Sequence, residues 1–125
     1  MAQEKIFENK IKRYLESIGV YPFGTPNQKM HVKPIGYYEK RWGGGSFTKN
    51  GLPDMHIVIR GMSIDLEIKA QNGKPSELQK FMISQIKDAG GLAFIVYPSG
   101  WNDLKKILDD LSNEIFNLDR KEILK

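Results

Sequence analysis

Two alternating apolar and polar runs joined by a glycine, together with three stretches of helical apolar spacing, predict an α/β domain. The runs are Met55 to Arg60 and Ser63 to Lys69, with Gly61 as the turn that folds them into a hairpin. The helical stretches cover 3–18, 76–89 and 101–115. A short apolar strand at 92–97 follows the second helix, so the order from Ile64 onward is strand, helix, strand. That order implies a parallel pair with a right-handed crossover.

In the first helix, Phe7, Ile11, Tyr14, Leu15 and Ile18 share one face, and Gly19 marks its end. Glu4 and Glu8 sit one turn apart beside that stripe, a spacing at which like charges are mildly unfavourable. Either acid could be a solvated edge residue stabilised by Lys5, Lys10 or Lys12. Pro22, Pro26 and Pro34 forbid long helix between 20 and 50, and Lys29 to Ile35 is expected to form a short strand. The segment Tyr37 to Lys49 interleaves aromatics with Lys40, Arg41 and Lys49 around Gly43-Gly44-Gly45. Stacking rings and phosphate-binding cations make it a candidate nucleic-acid contact, with Trp42 among its residues. The alternative is a connection whose aromatics pack on the core. No GK[ST] pattern follows the glycines, which argues against a nucleotide P-loop.

On the strand 63–69, side chains alternate between two faces. Ile64, Leu66, Ile68 and Ala70 form an apolar face, while Asp65, Glu67 and Lys69 form a polar one, poorly suited to a core and suited to presenting charged groups. Asp54 precedes the first strand, so Asp54, Glu67 and Lys69 are expected to converge at one end of the hairpin. Asn72-Gly73-Lys74-Pro75 then makes a turn. Ser76-Glu77-Leu78-Gln79 has the form of a capping box, in which the serine caps the helix and the glutamine reaches back. Leu78, Met82, Ile86 and Ala89 are the expected buried stripe, and Gly90-Gly91 the helix end. The apolar strand 92–97 reads as buried and central. Trp101 opens the last helix, with Leu104, Ile107, Leu108, Leu111 and Ile115 on its apolar side, before a charged tail from 117 that is expected to fray.

The chain has 125 residues, which suits one domain with one modest core. No apolar run approaches the roughly 18 residues of a membrane span, and Met1-Ala2-Gln3-Glu4 does not open a signal peptide. Without cysteines there are neither disulfides nor thiolate metal sites, and a cytoplasmic location is expected. A net charge of +4 is compatible with a nucleic-acid partner. The two histidines, His31 and His56, lack ligand-like spacing, which argues against zinc.

Pro53-Asp54 followed by Glu67-Ile68-Lys69 resembles the signature of the PD-(D/E)XK nuclease superfamily. The surrounding Gly51-Leu52-Pro53-Asp54 and the downstream Gly73 to Gln79 segment look like its VRR-NUC branch, in particular the small stand-alone members of phages and prophages. The likeness covers about positions 3 to 98. It implies a restriction-endonuclease-like fold, a central mixed β-sheet flanked by helices. It also implies Asp54, Glu67 and a first-helix glutamate, here Glu8 rather than Glu4, as carboxylate ligands of Mg²⁺ or Mn²⁺. The Ile68 carbonyl would add a neutral ligand, Gln79 would lie near the site, and Lys69 would orient or deprotonate the attacking water. Lys40, Arg41, Trp42, Lys49, Lys74 and Ser76 are the candidate DNA contacts. Members of this kind are associated with branched DNA, Holliday junctions especially, and cutting a junction symmetrically calls for a homodimer. Cutting of flap, nicked or single-stranded DNA, or a non-catalytic DNA-binding module, is the alternative expectation.

Overall fold

The computed structural model describes residues 2–41 and 51–113. Among them are three α-helices, α1 (Ala2–Ser17), α2 (Glu77–Asp88) and α3 (Trp101–Ser112). They flank a five-stranded sheet in the order β1 (Val20–Pro22), β2 (Gly36–Lys40), β3 (Met55–Ile59), β4 (Met62–Ile68) and β5 (Leu92–Val96). The sheet is mixed: β1 runs parallel to β2, β3 is antiparallel to both β2 and β4, and β5 is parallel to β4. The protein is therefore α/β. None of the described helices is long and apolar enough to cross a membrane.

The β3–β4 hairpin forms as its alternation predicts. Ile59 pairs with Met62, leaving Arg60 and Gly61 as a two-residue loop with φ of 48° and 84°. Two successive positive φ values match the right-handed twist of the flanking strands, and glycine takes the second at no steric cost. Arg60 accepts the strain while its Nε donates to the Ser112 carbonyl at the C-terminus of α3 (2.6 Å), where a cation is favoured.

Met55, Ile57 and Ile59 of β3 face the same side as Ile64, Leu66 and Ile68 of β4. On that side they meet Phe7, Ile11 and Leu15 of α1 and Leu104, Leu108 and Leu111 of α3 in one core. Trp101 joins α3 to α1 through edge-on contacts with Phe7 and Tyr14. The opposite face of β4 carries Asp65 and Glu67, and α2 lies on this side, since Gln79 of α2 bonds to Glu67.

Four sequence expectations change here. The strand expected at 29–35 is absent: Asn27–Lys29 is a 3-10 turn, and the pairing strand begins at Gly36, after Pro34. The stripe of α2 is rotated, because α2 rests on the β5 side of the sheet. Ile83 is its buried residue, while Leu78 is 43% exposed and Ala89 is open to solvent. The strand at 92–97 becomes β5, an edge strand rather than a central one, with only Ala93 and Val96 buried. The polar face of β4 does not meet solvent, as described below. The expected contacts Trp42 and Lys49, the glycine triplet, Ile115 and the tail lie outside the described residues.

Candidate active site

The start of β3 and the end of β4 bring the motif residues together. β3 starts at Met55, opposite Leu66, so Ile68 pairs with Val96 of β5 but has no ladder partner on the β3 side. The Asp54 carboxylate fills that place: its Oδ2 accepts from the Ile68 N–H at 2.8 Å. One Asp54 oxygen is thereby fixed to β4, and the other, Oδ1, faces the neighbouring Lys40 Nζ at 3.9 Å. Pro53 before it is fully buried, which fixes the approach of the chain.

Glu67 is 2% exposed. Its Oε2 accepts from Gln79 Nε2 at 3.0 Å and lies 3.4 Å from Lys69 Nζ. Its Oε1 is buried and has no hydrogen-bond partner. Burial first and then the adjacent Asp54 carboxylate push its pKa up to about 7, with Lys69 only partly offsetting them. The two carboxylates stand close enough for a protonated Glu67 to donate to Asp54.

The amide of Gln79 is oriented by the helix cap. Ser76 Oγ accepts from the Gln79 N–H (3.0 Å), and the Ser76 N–H donates to Gln79 Oε1 (2.8 Å). With its oxygen occupied by the cap, Gln79 must turn its NH₂ group outward, toward Glu67. The structural and site readings of Gln79 are one arrangement.

Glu8 is the first-helix acid drawn to the site: it is 4% exposed, whereas Glu4 is only partly covered. Its Oε2 is held by Lys12 (2.8 Å) and Lys5 (3.1 Å), and its Oε1 by Lys40 (2.9 Å). Burial opposes its ionisation, but hydrogen bonds from Lys12, Lys40 and Lys5 outweigh that cost and lower its pKa to about 2.

The remaining expected contacts divide. Lys74 and Ser76 are exposed beside the site. Lys40 and Arg41, expected on DNA, turn inward: Lys40 lies between Glu8 and Asp54, and Arg41 joins the motif from behind. The Arg41 N–H donates to the Asp54 carbonyl (2.6 Å), and its guanidinium reaches the Pro53 carbonyl (3.4 Å) and Asp65 Oδ1 (3.2 Å). Asp65 is 7% exposed, and His56 Nδ1 lies 2.9 Å from the same oxygen. This Arg41–Asp65–His56 cluster, in which only Arg41 was an expected site residue and then as a DNA contact, ties β2, β3 and β4 together next to Asp54. Its signal in the sequence was Asp65 itself, on the same strand face as Glu67: a buried acid requires partners.

The donor set suits a hard divalent cation. Glu67 Oε1 and Asp54 Oδ1 are oxygens whose sister atoms are already committed, and an unpaired buried carboxylate oxygen beside a second carboxylate is stabilised by a cation between them. Among the described residues no three acid or histidine side chains are gathered closely enough to hold a metal together; Glu8 is kept apart by Lys40. No family model matches this chain, and no curated protein matches it.

Proposed function

We propose that this protein is a metal-dependent, structure-specific DNA endonuclease of the VRR-NUC kind, with a PD-(D/E)XK nuclease-like fold, acting as a homodimer on Holliday junctions. The observation that carries the reading is the meeting of Asp54, Glu67 and Lys69 at the end of the β3–β4 hairpin, with Glu67 Oε1 buried and unpartnered. A surface ion pair between Glu67 and Lys69 would not account for a carboxylate so fully buried, because such pairs contribute only about 0–1 kcal/mol.

In this reading Asp54 and Glu67 would hold Mg²⁺ or Mn²⁺, with Glu8 as a further ligand and the Ile68 carbonyl as a neutral one. The bound cation supplies Lewis acidity at the phosphoryl oxygen and a more acidic water. Gln79 holds Glu67 by its NH₂ group, so that the free oxygen keeps a fixed direction. Lys69 stands beside Glu67, where its ammonium orients the attacking water or meets developing negative charge. The other lysines of the site, and the exposed Lys74, favour a polyanionic strand. Each copy of the domain carries one such centre, and symmetric cutting of a four-way junction needs two related by a two-fold axis.

The test is cleavage of labelled four-way junction, flap and linear duplex DNA with Mg²⁺ or Mn²⁺, wild type beside Lys69→Ala. Paired symmetric nicks, lost in the variant, are expected. Cutting of flaps or single strands alone would keep the nuclease and remove the junction resolvase. Binding without metal-dependent cutting would leave a DNA-binding module, and a strictly monomeric protein on and off DNA would remove the dimer.

A further inference from the structure

Lys40 is the last residue of β2 and pairs with Met55, so its side chain leaves the sheet on the α1 side, toward Glu8. Its ammonium lies 2.9 Å from Glu8 Oε1 and 3.9 Å from Asp54 Oδ1, with the side chain only 16% exposed. Those two oxygens are the ones their own carboxylates leave toward the centre. Glu8 Oε2 is committed to Lys5 and Lys12, and Asp54 Oδ2 to the Ile68 N–H. Lys69 differs, because it sits on the Gln79 side of Glu67 and leaves Oε1 open.

We propose that Lys40 is a built-in competitor of the divalent cation, and that its ammonium becomes a DNA-phosphate contact when it gives way. The inference rests on the metal-dependent reading above. An ammonium needs about 2.8 Å to each oxygen, whereas a small hard dication needs about 2.1 Å to its ligands. Glu8 and Asp54 cannot satisfy both in one gap, and the like charges repel. Asp54 and Glu67 can take a cation while Lys40 stays, but Glu8 joins them only after Lys40 leaves. The lysine stem is long and flexible, so the ammonium can swing outward without moving β2. An incoming phosphate offers it a replacement partner. Metal and DNA therefore favour each other's binding, and by linkage the factor is the same in both directions.

Calorimetric titration of Mn²⁺ into the full chain tests this, with Lys40→Met and Lys40→Gln compared in a Lys69→Ala background that keeps DNA intact. Without DNA, both substitutions are expected to tighten Mn²⁺ binding by about tenfold, within the usual range of such couplings. A short four-way junction is expected to tighten Mn²⁺ binding when Lys40 is present and to do so much less when it is absent. In the wild-type chain, the Lys40 side-chain NMR signals are expected to move on Mg²⁺ titration, a readout that needs no substitution. Unchanged or weaker Mn²⁺ binding in both variants, or Lys40 signals indifferent to Mg²⁺, would overturn the role of Lys40 and leave the nuclease reading standing. No metal binding by any form of the protein would remove both.

Discussion

Glu67 and Glu8 are both buried carboxylates, yet they carry opposite pH signatures. Burial and the Asp54 charge raise Glu67 to about 7, so the folded chain holds a proton there that the unfolded chain, near 4.5, releases. Its contribution to stability is full below pH 4.5 and is lost as pH rises through about 7. At about 1.4 kcal/mol per unit the loss is at most on the order of 3 kcal/mol. Glu8, lowered to about 2, contributes above pH 4.5 and loses that contribution as pH falls toward 2. Metal-free Glu67→Gln is therefore expected to be more stable than wild type at pH 8 and to lack the decline between pH 5 and 7; urea unfolding across that range measures both. A wild-type stability that does not fall over this interval would show that Glu67 is already ionised. At Arg41, the guanidinium bonds to Pro53 and Asp65 argue for positioning of Asp54 rather than direct DNA contact. Arg41→Gln is expected to weaken Mn²⁺ binding more than it weakens DNA binding, as calorimetry and a mobility shift would report.

The cap of α2 links an element's end to the site. Ser76→Ala removes one half of the capping box, and such losses typically cost about 1 kcal/mol. The Ser76 backbone N–H that holds Gln79 Oε1 survives in the alanine variant, so the Gln79–Glu67 contact is expected to persist and cleavage to fall no further than the stability loss alone would bring. Denaturant midpoints and cleavage rates at a temperature where both proteins are folded separate the two effects. Gly51 sits at φ 82°, and a Cβ there would come within 2.6 Å of Leu78 Cγ. Gly51→Ala is expected to cost about 1–2 kcal/mol through the left-handed backbone alone, and to disturb the contact between the loop before Asp54 and α2. The hairpin, the cap and the ends of α1 and α2 were legible because each depends on residues a few positions apart. The stripe of α2 was misread by one position for the opposite reason. Its apolar residues nearly encircle one side, and only the place of the helix beside β5 selects Ile83 over Leu78.

Across the whole molecule, α1 and α3 form one core with β3 and β4, and the site lies at the end of the sheet where that core gives out. Leu108 is fully buried at the centre of α3, and Leu108→Ala is expected to cost about 2–5 kcal/mol. Its thermal midpoint should drop accordingly, while Mn²⁺ affinity measured below that midpoint stays near wild type.

Periodicity and spacing determined that the chain is α/β, that Asp54, Glu67 and Lys69 share one end of a hairpin, and that Ser76 and Gln79 cap a helix. These follow from side-chain alternation and from backbone bonds spanning three or four residues. Only the tertiary structure decided that Asp65 and Glu67 are buried, that β5 lies at an edge, and that Lys40 stands between Glu8 and Asp54. Each of these depends on which distant segment covers which face, and the meeting of Glu8 with Lys40 joins residues 32 positions apart. No local pattern fixes that, because it is set by the register of β2 on β3 and by the packing of α1 on the sheet.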